Sequence, residues 1–203
     1  MKLKEDKCPL CGRKVEEYGL CHECLGLINR EPAYYYDIEG LDDLIVCSTY
    51  SGIMRRLIID FKFKGKVSYG EIIAEIMTEK ILDKNLNKEV ITFVPMHKNK
   101  EGERGYNQSK LLAEKIAGNL DLSCQDIFEK LRDTKFQVGL KKLDREENLR
   151  DAFKVKSYAE EIIIVDDVIT TGATIAELTK IAKEAGIKKS DCTNCSHRNS
   201  LVL

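Results

Sequence analysis

Two things missing from this sequence narrow its reading at once. Neither sign of charge prevails: 33 lysines and arginines stand against 34 aspartates and glutamates. There is therefore no chain-wide basic field pointing to nucleic acid, although local patches are not excluded. Long apolar runs are missing too. The opening stretch MKLKEDKCPLC holds no apolar segment of signal-peptide type, and no segment reaches the roughly 20 apolar residues of a bilayer span. The expected location is the cytoplasm, without membrane insertion. With no export signal, the eight cysteines read as reduced thiols and metal ligands and not as a disulfide framework.

What is present centres on Glu160 to Ile175, EEIIIVDDVITTGATI. Ile162, Ile163, Ile164 and Val165 read as a buried strand of a parallel sheet, expected to stop at Asp166 and Asp167. A loop of small residues follows (Thr170, Thr171, Gly172, Ala173, Thr174), then a helix with Ile175, Leu178 and Ala182 on one face and Gly186 at its end. Threonine hydroxyls, backbone N–H groups freed by Gly172 and a helix N-terminus make a cradle for an anion. Carboxylates cannot grip that same phosphate, but they can accept hydrogen bonds from neighbouring sugar hydroxyls. A ribose 5-phosphate satisfies both halves. An acidic pair alone would more simply end a strand or hold Mg²⁺. Joined to TTGAT, it resembles the signature of type I phosphoribosyltransferases, with Ala173 where that family usually has a second glycine.

Near the start, Cys8-Pro9-Leu10-Cys11 and Cys21-His22-Glu23-Cys24 are two C-x-x-C knuckles separated by nine residues. They supply four thiolates for one tetrahedral structural Zn²⁺, leaving no open coordination position and His22 a bystander. So short a segment takes its folding energy from the metal. Residues 1–30 are read as this module, 31–43 as a connection, and 44–203 as the main domain. Tyr34, Tyr35 and Tyr36 in the connection could stack on bases, but more simply pack the module against its neighbour.

The main domain opens with a strand expected from Leu44 to Tyr50. Helices striped by Ile53, Leu57 and Phe61, then by Ile72, Ile73, Ile76 and Met77, follow it. Val90 to Val94 is the next strand, closed by Pro95. The loop after it carries Met96, His97 and Lys98, then Arg104-Gly105-Tyr106-Asn107-Gln108-Ser109, before a helix with Leu111, Leu112 and Ile116. Two loops at the carboxyl ends of parallel strands are where an open α/β sheet binds ligands. The second loop offers Lys98, Lys100 and Arg104 to another anion, pyrophosphate being the obvious one. The plainer alternative makes RGYNQS a polar helix start capped near Asn107 or Ser109. A last strand is expected near Lys189 to Cys195, more polar than such a position usually is. Cys192 and Cys195, three apart on a strand, face opposite sides and read as small buried side chains. His197 and Arg198 read as a frayed terminus.

The knuckle pair, PMHK, RGYNQS and VDDVITTGAT, in this order, resemble the ComF family of bacterial competence proteins. A further ComF-like segment has Thr134, Gln137, Leu140, Arg145, Asn148 and Phe153, and Tyr106 stands where that family more often has Phe. The resemblance covers nearly the whole chain. It implies a type I phosphoribosyltransferase-like open parallel sheet flanked by helices, with a small N-terminal zinc-ribbon-like module. It implies phosphoribosyl pyrophosphate (PRPP) as ligand: Thr170 to Thr174 on the 5-phosphate, Asp166 and Asp167 on the ribose hydroxyls, and Met96, His97 and Lys98 on pyrophosphate. Asp166, Asp167 and Arg104 are the candidate catalytic residues, and Mg²⁺ would come in largely on substrate and water oxygens. The implied reaction displaces pyrophosphate with a nitrogen nucleophile of unidentified acceptor. Single-stranded DNA and a DNA-uptake helicase are the implied partners, and a non-catalytic DNA-handling role with PRPP or nucleotide as regulator is the alternative. Any single residue of the charged stretch from Thr134 to Arg150 is most simply a solvated surface group, but its place between the two anion loops suits a mobile cover over bound substrate.

Overall fold

A computed structural model describes residues 7–30, 38–84, 90–134 and 149–197, with backbone only at His197. In chain order the elements are α1 (His22–Gly26), β1 (Leu44–Val46), α2 (Gly52–Phe63), α3 (Val67–Asp83), β2 (Val90–Phe93), α4 (Lys98–Arg104) and α5 (Gln108–Leu120). Then come β3 (Ser123–Cys124), β4 (Phe128–Lys130), β5 (Phe153–Val155), β6 (Glu161–Ile169), α6 (Ala173–Glu184) and β7 (Lys189–His197). Five strands form a parallel sheet in the order β1-β7-β6-β2-β3, while β4 and β5 pair antiparallel in a separate ribbon.

Alternation along β6 builds both layers. Ile163 and Val165 pack into a core with Leu57, Phe61, Ile73, Ile76 and Leu112 from α2, α3 and α5. Ile162 and Ile164 face the other way, into a core with Ile175, Leu178 and Ala182 of α6. Both faces are covered by helices, which is why the strand reads as one unbroken apolar run. Where α2 meets α3 the Phe61 ring packs directly on the Gly70 backbone: a Cβ on Gly70 would stand 2.8 Å from Phe61 Cε2.

Three local expectations change. The acidic pair does not end its strand, because β7 continues the ladder beside it to Val168↔Ser196 and Ile169↔His197. The stretch after β2 is not wholly loop but contains α4, closed by Gly105 at φ 86°. The polar last strand forms where expected but runs on to His197, whose backbone pairs with Ile169 and is not frayed; it is seated between β1 and β6 with Ser190, Asp191, Thr193, Asn194 and Ser196 all buried. Cys192 and Cys195 are buried on it as well, and burial raises both thiols well above their usual range.

The connections set the position of the site. From β2 the chain passes through α4 and α5 to β3 on one side, whereas from β6 it passes through α6 to β7 on the other. The neighbouring strands β2 and β6 therefore form a topological switch point, where loops diverge and leave a crevice beyond the strand ends.

Candidate functional site

The crevice is a cavity of about 520 Å³. Its floor is the far end of β6. Asp167 is 8% exposed and its Oδ2 lies 2.6 Å from Lys62 Nζ at the end of α2. Burial pulls the Lys62 pKa down, but the Asp167 charge and hydrogen bond outweigh it and the net shift is upward. Asp166 makes no ion pair among the described residues. Ser109 Oγ donates to its Oδ1 at 3.0 Å, and the Asp167 backbone N–H donates to the same oxygen at 2.8 Å. Burial, and then the neighbouring Asp167 charge, push the Asp166 carboxyl up to about 7. Two adjacent aspartates are thus set apart: one in a salt bridge, one held by neutral donors and titrating near neutrality.

One wall is the turn from β6 into α6. Thr170, Thr171, Gly172, Ala173 and Thr174 all line the cavity. Gly172 caps α6 in the left-handed region at φ 77°, and Thr171 Oγ1 accepts from Ala173 N at 3.5 Å. A Cβ on Gly172 would stand 3.0 Å from Ile38 Cδ1. The first turn of α6 contains no acidic residue, so no carboxylate of the helix itself offsets the partial positive charge of its N-terminus.

A second wall is the segment after β2. Asn107 caps α5, its Oδ1 accepting from Lys110 N at 3.3 Å, while its Nδ2 donates to Val94 O at 3.1 Å and fixes the helix start to the strand end. That placement presents Ser109 to Asp166. Met96, His97 and Arg104 line the cavity; Lys98 is exposed and does not. His97 caps α4, its Nδ1 accepting from Asn99 N at 3.4 Å. Arg104 donates to Gln108 Oε1 at 2.6 Å and rests over the Phe63 ring at 5.3 Å. The Tyr106 hydroxyl, extra relative to Phe, donates to Phe61 O at the end of α2, next to Lys62.

Sequence reasoning assigned no role to Lys62, Phe63 or Lys130, yet all three line the cavity. Lys62 lies one turn beyond Ile58 and two beyond Met54, both buried, so its spacing carried a signal that it turns inward, which its charge masked. Lys130 carried a faint signal, being two residues from the buried Phe128 on a strand. Tyr34 to Tyr36, Gln137, Leu140, Arg145, Asn148 and Arg198 lie outside the described residues, as does most of the expected cover.

Away from the cavity, Cys8, Cys11, Cys21 and Cys24 place their sulfurs within 4.8 Å of one another. At Zn–S distances of about 2.3 Å a tetrahedral site sets sulfurs roughly 3.8 Å apart, so this set can hold a metal ion such as zinc. The acidic pair is not a comparable chelate, since Lys62, Ser109 and a backbone N–H already engage it.

No family model matches the sequence. Curated relatives do. The chain is 28% identical over 193 residues to Competence protein F of Haemophilus influenzae, covering 90% of this chain and 80% of the relative. It is 28% identical over 199 residues to Competence protein ComFC of Bacillus subtilis (91% and 75%) and 26% over 190 residues to DNA utilization protein YhgH of Escherichia coli K12 (88% and 78%). Among solved structures, a hypoxanthine phosphoribosyltransferase from Staphylococcus aureus superposes over 62% of each chain with TM-score 0.37 and 12% identity. Among the described residues no helix is long and apolar enough to cross a membrane.

Proposed function

We propose that this chain is a ComF-type competence protein whose cavity binds PRPP and transfers its phosphoribosyl group to a nitrogen nucleophile. One observation carries the reading. The acidic pair, the Thr170–Thr174 turn and Arg104, more than sixty residues apart in sequence at their extremes, line a single cavity at the sheet's switch point. The α6 N-terminus and the threonines would take the 5-phosphate. Asp166 and the Oδ1 of Asp167 would accept the ribose hydroxyls, Lys62 remaining on Oδ2. Arg104, with Met96 and His97, would take pyrophosphate; Lys98, outside the cavity, is left out of that set.

In the reaction the C1–O bond breaks and its electron pair leaves with pyrophosphate. The nucleophile's lone pair forms the C1–N bond, and its proton passes to solvent or base. Positive charge grows at C1 and the ring oxygen, so the Asp166 and Asp167 carboxylates stabilise the transition state more than the ground state. Mg²⁺, entering with the substrate and held largely by water, would offset the charge of the leaving group. Zinc, at Cys8, Cys11, Cys21 and Cys24, would be structural.

The test is pyrophosphate release on mixing the protein with PRPP and a panel of bases and amines. Asp166→Asn with Asp167→Asn is expected to abolish PRPP binding by calorimetry; undiminished affinity overturns the ribose assignment. A second reading draws support from the relatives' names, which speak of competence and DNA utilization. On it the protein handles single-stranded DNA beside a helicase and uses PRPP or a nucleotide as regulator. Absent pyrophosphate release, together with steeply salt-dependent single-strand binding that survives the aspartate changes, selects that reading.

A further inference from the structure

The cations lining the cavity are not equally provided for. Lys62 is paired with Asp167 at 2.6 Å, and Lys100 with Asp133 at 2.9 Å while it also donates to Thr134 O at 3.2 Å. Arg104 and Lys130 make no ion pair among the described residues. Arg104 has the Gln108 amide oxygen. Lys130, half-buried at the end of β4, rests its ammonium over the Phe153 ring at 5.3 Å. The charged groups around it come from three directions. Lys100 of α4 and Arg132 of its own segment repel it, while Asp133 and, from β6, Asp166 attract it. Phe153 of β5 brings no charge. Burial, and then Lys100, pull its pKa down to about 8. A partly desolvated ammonium among like charges, opening on a cavity, is a position that an anion would relieve.

We propose that the Lys130 ammonium, together with Arg104, grips the pyrophosphate group of the ligand, so that β4 as well as the segment after β2 builds the second anion subsite. This rests on the reading of the cavity as a PRPP site. Both side chains line the same cavity but come from separate elements, so a diphosphate can be held from two sides while the α6 turn holds the other phosphate. The Lys100 pairing with Asp133 and Thr134 O ties α4 to the segment after β4 and keeps the two contributors in register. Binding an anion raises the Lys130 pKa, so the complex takes up a proton when formed near pH 8.

The experiment titrates inorganic pyrophosphate and, separately, ribose 5-phosphate into the full protein and into Lys130→Met and Lys130→Arg. Calorimetry is run at about pH 7 and about pH 9 in buffers of different ionisation heat. Lys130→Met is expected to weaken pyrophosphate binding about ten- to a hundredfold and leave ribose 5-phosphate binding and the melting temperature unchanged. Wild type should show proton uptake on binding pyrophosphate that Lys130→Arg lacks; comparing the two removes the ligand's own titration. Undiminished pyrophosphate affinity in Lys130→Met, or equal proton uptake in Lys130→Arg, overturns the assignment while ribose 5-phosphate binding still upholds the PRPP reading. If wild type binds neither ligand, the PRPP reading itself fails and this inference falls with it.

Discussion

Asp166 and Asp167 are chemically identical neighbours that fold into unlike surroundings, and their differences are measurable. For Asp166 the folded pKa of about 7 lies above the ordinary carboxylate value of 3.8. The folded state therefore holds its proton more tightly than the unfolded chain, and this group's contribution to stability declines as pH rises through that window. Asp166→Asn should raise the melting temperature near pH 8 and flatten its pH dependence while weakening ribose 5-phosphate binding. A melting temperature that falls equally at low and high pH would count against the titration. The pair with Lys62 predicts the opposite pattern. Lys62 and Asp167 keep only 19% and 12% side-chain exposure, so Lys62→Met leaves a buried carboxylate uncompensated and should cost about 3 kcal/mol in urea unfolding. Adding Asp167→Asn should restore most of it, and strict additivity of the two changes would argue that the ion pair contributes nothing. The motif carrying these aspartates was legible in the sequence because its residues are contiguous. Lys62 was not, because its contact spans more than a hundred residues; its place one turn beyond the buried Ile58 hints at an inward side chain but not at its partner.

At the scale of elements, the turn into α6 is the part most exposed to a single substitution. Gly172→Ala must place a Cβ in the left-handed region and 3.0 Å from Ile38 Cδ1. The conformational part alone costs about 1–2 kcal/mol, and the contact pushes the helix start away from the cavity. Reduced ribose 5-phosphate affinity together with a lower melting temperature is expected, partly relieved by adding Ile38→Ala. Relief absent from both measurements would show that Ile38 does not constrain the turn. The striped helices α2, α3 and α5 were readable because burial of one face imposes its period on the sequence. The helix α4 was not: KNKEGER has no buried residue, so no stripe exists to be read. The extension of β6 was missed for another reason. Asp166 and Asp167 look like a strand end locally, but β7, more than twenty residues later in the chain, supplies the ladder that carries the strand past them.

For the whole molecule, the four-cysteine segment is not an ornament on a finished core. Cys8, Leu20, Cys21, Cys24 and Ile28 belong to the same apolar cluster as Leu57, Phe61 and Tyr69, and the Tyr69 hydroxyl donates to Pro9 O at 3.4 Å. Removal of metal by a chelator should therefore lower the melting temperature of the entire protein and loosen α2 and α3, read as faster amide exchange in those helices. Exchange that changes only within residues 7–30 would show the module to be energetically separate. The fold class was legible from alternating strand and helix patterns; the strand order was not, since no local pattern states that β7 lies between β1 and β6. That order governs assembly. Leu44 pairs with Cys192 and Val46 with Asn194, so β1 has no seat in the sheet until nearly 150 further residues have been synthesised and β7 has been laid against β6. Such distant pairings close slowly. During translation the early strand waits with open edges, a nascent state that chaperones would be expected to shelter.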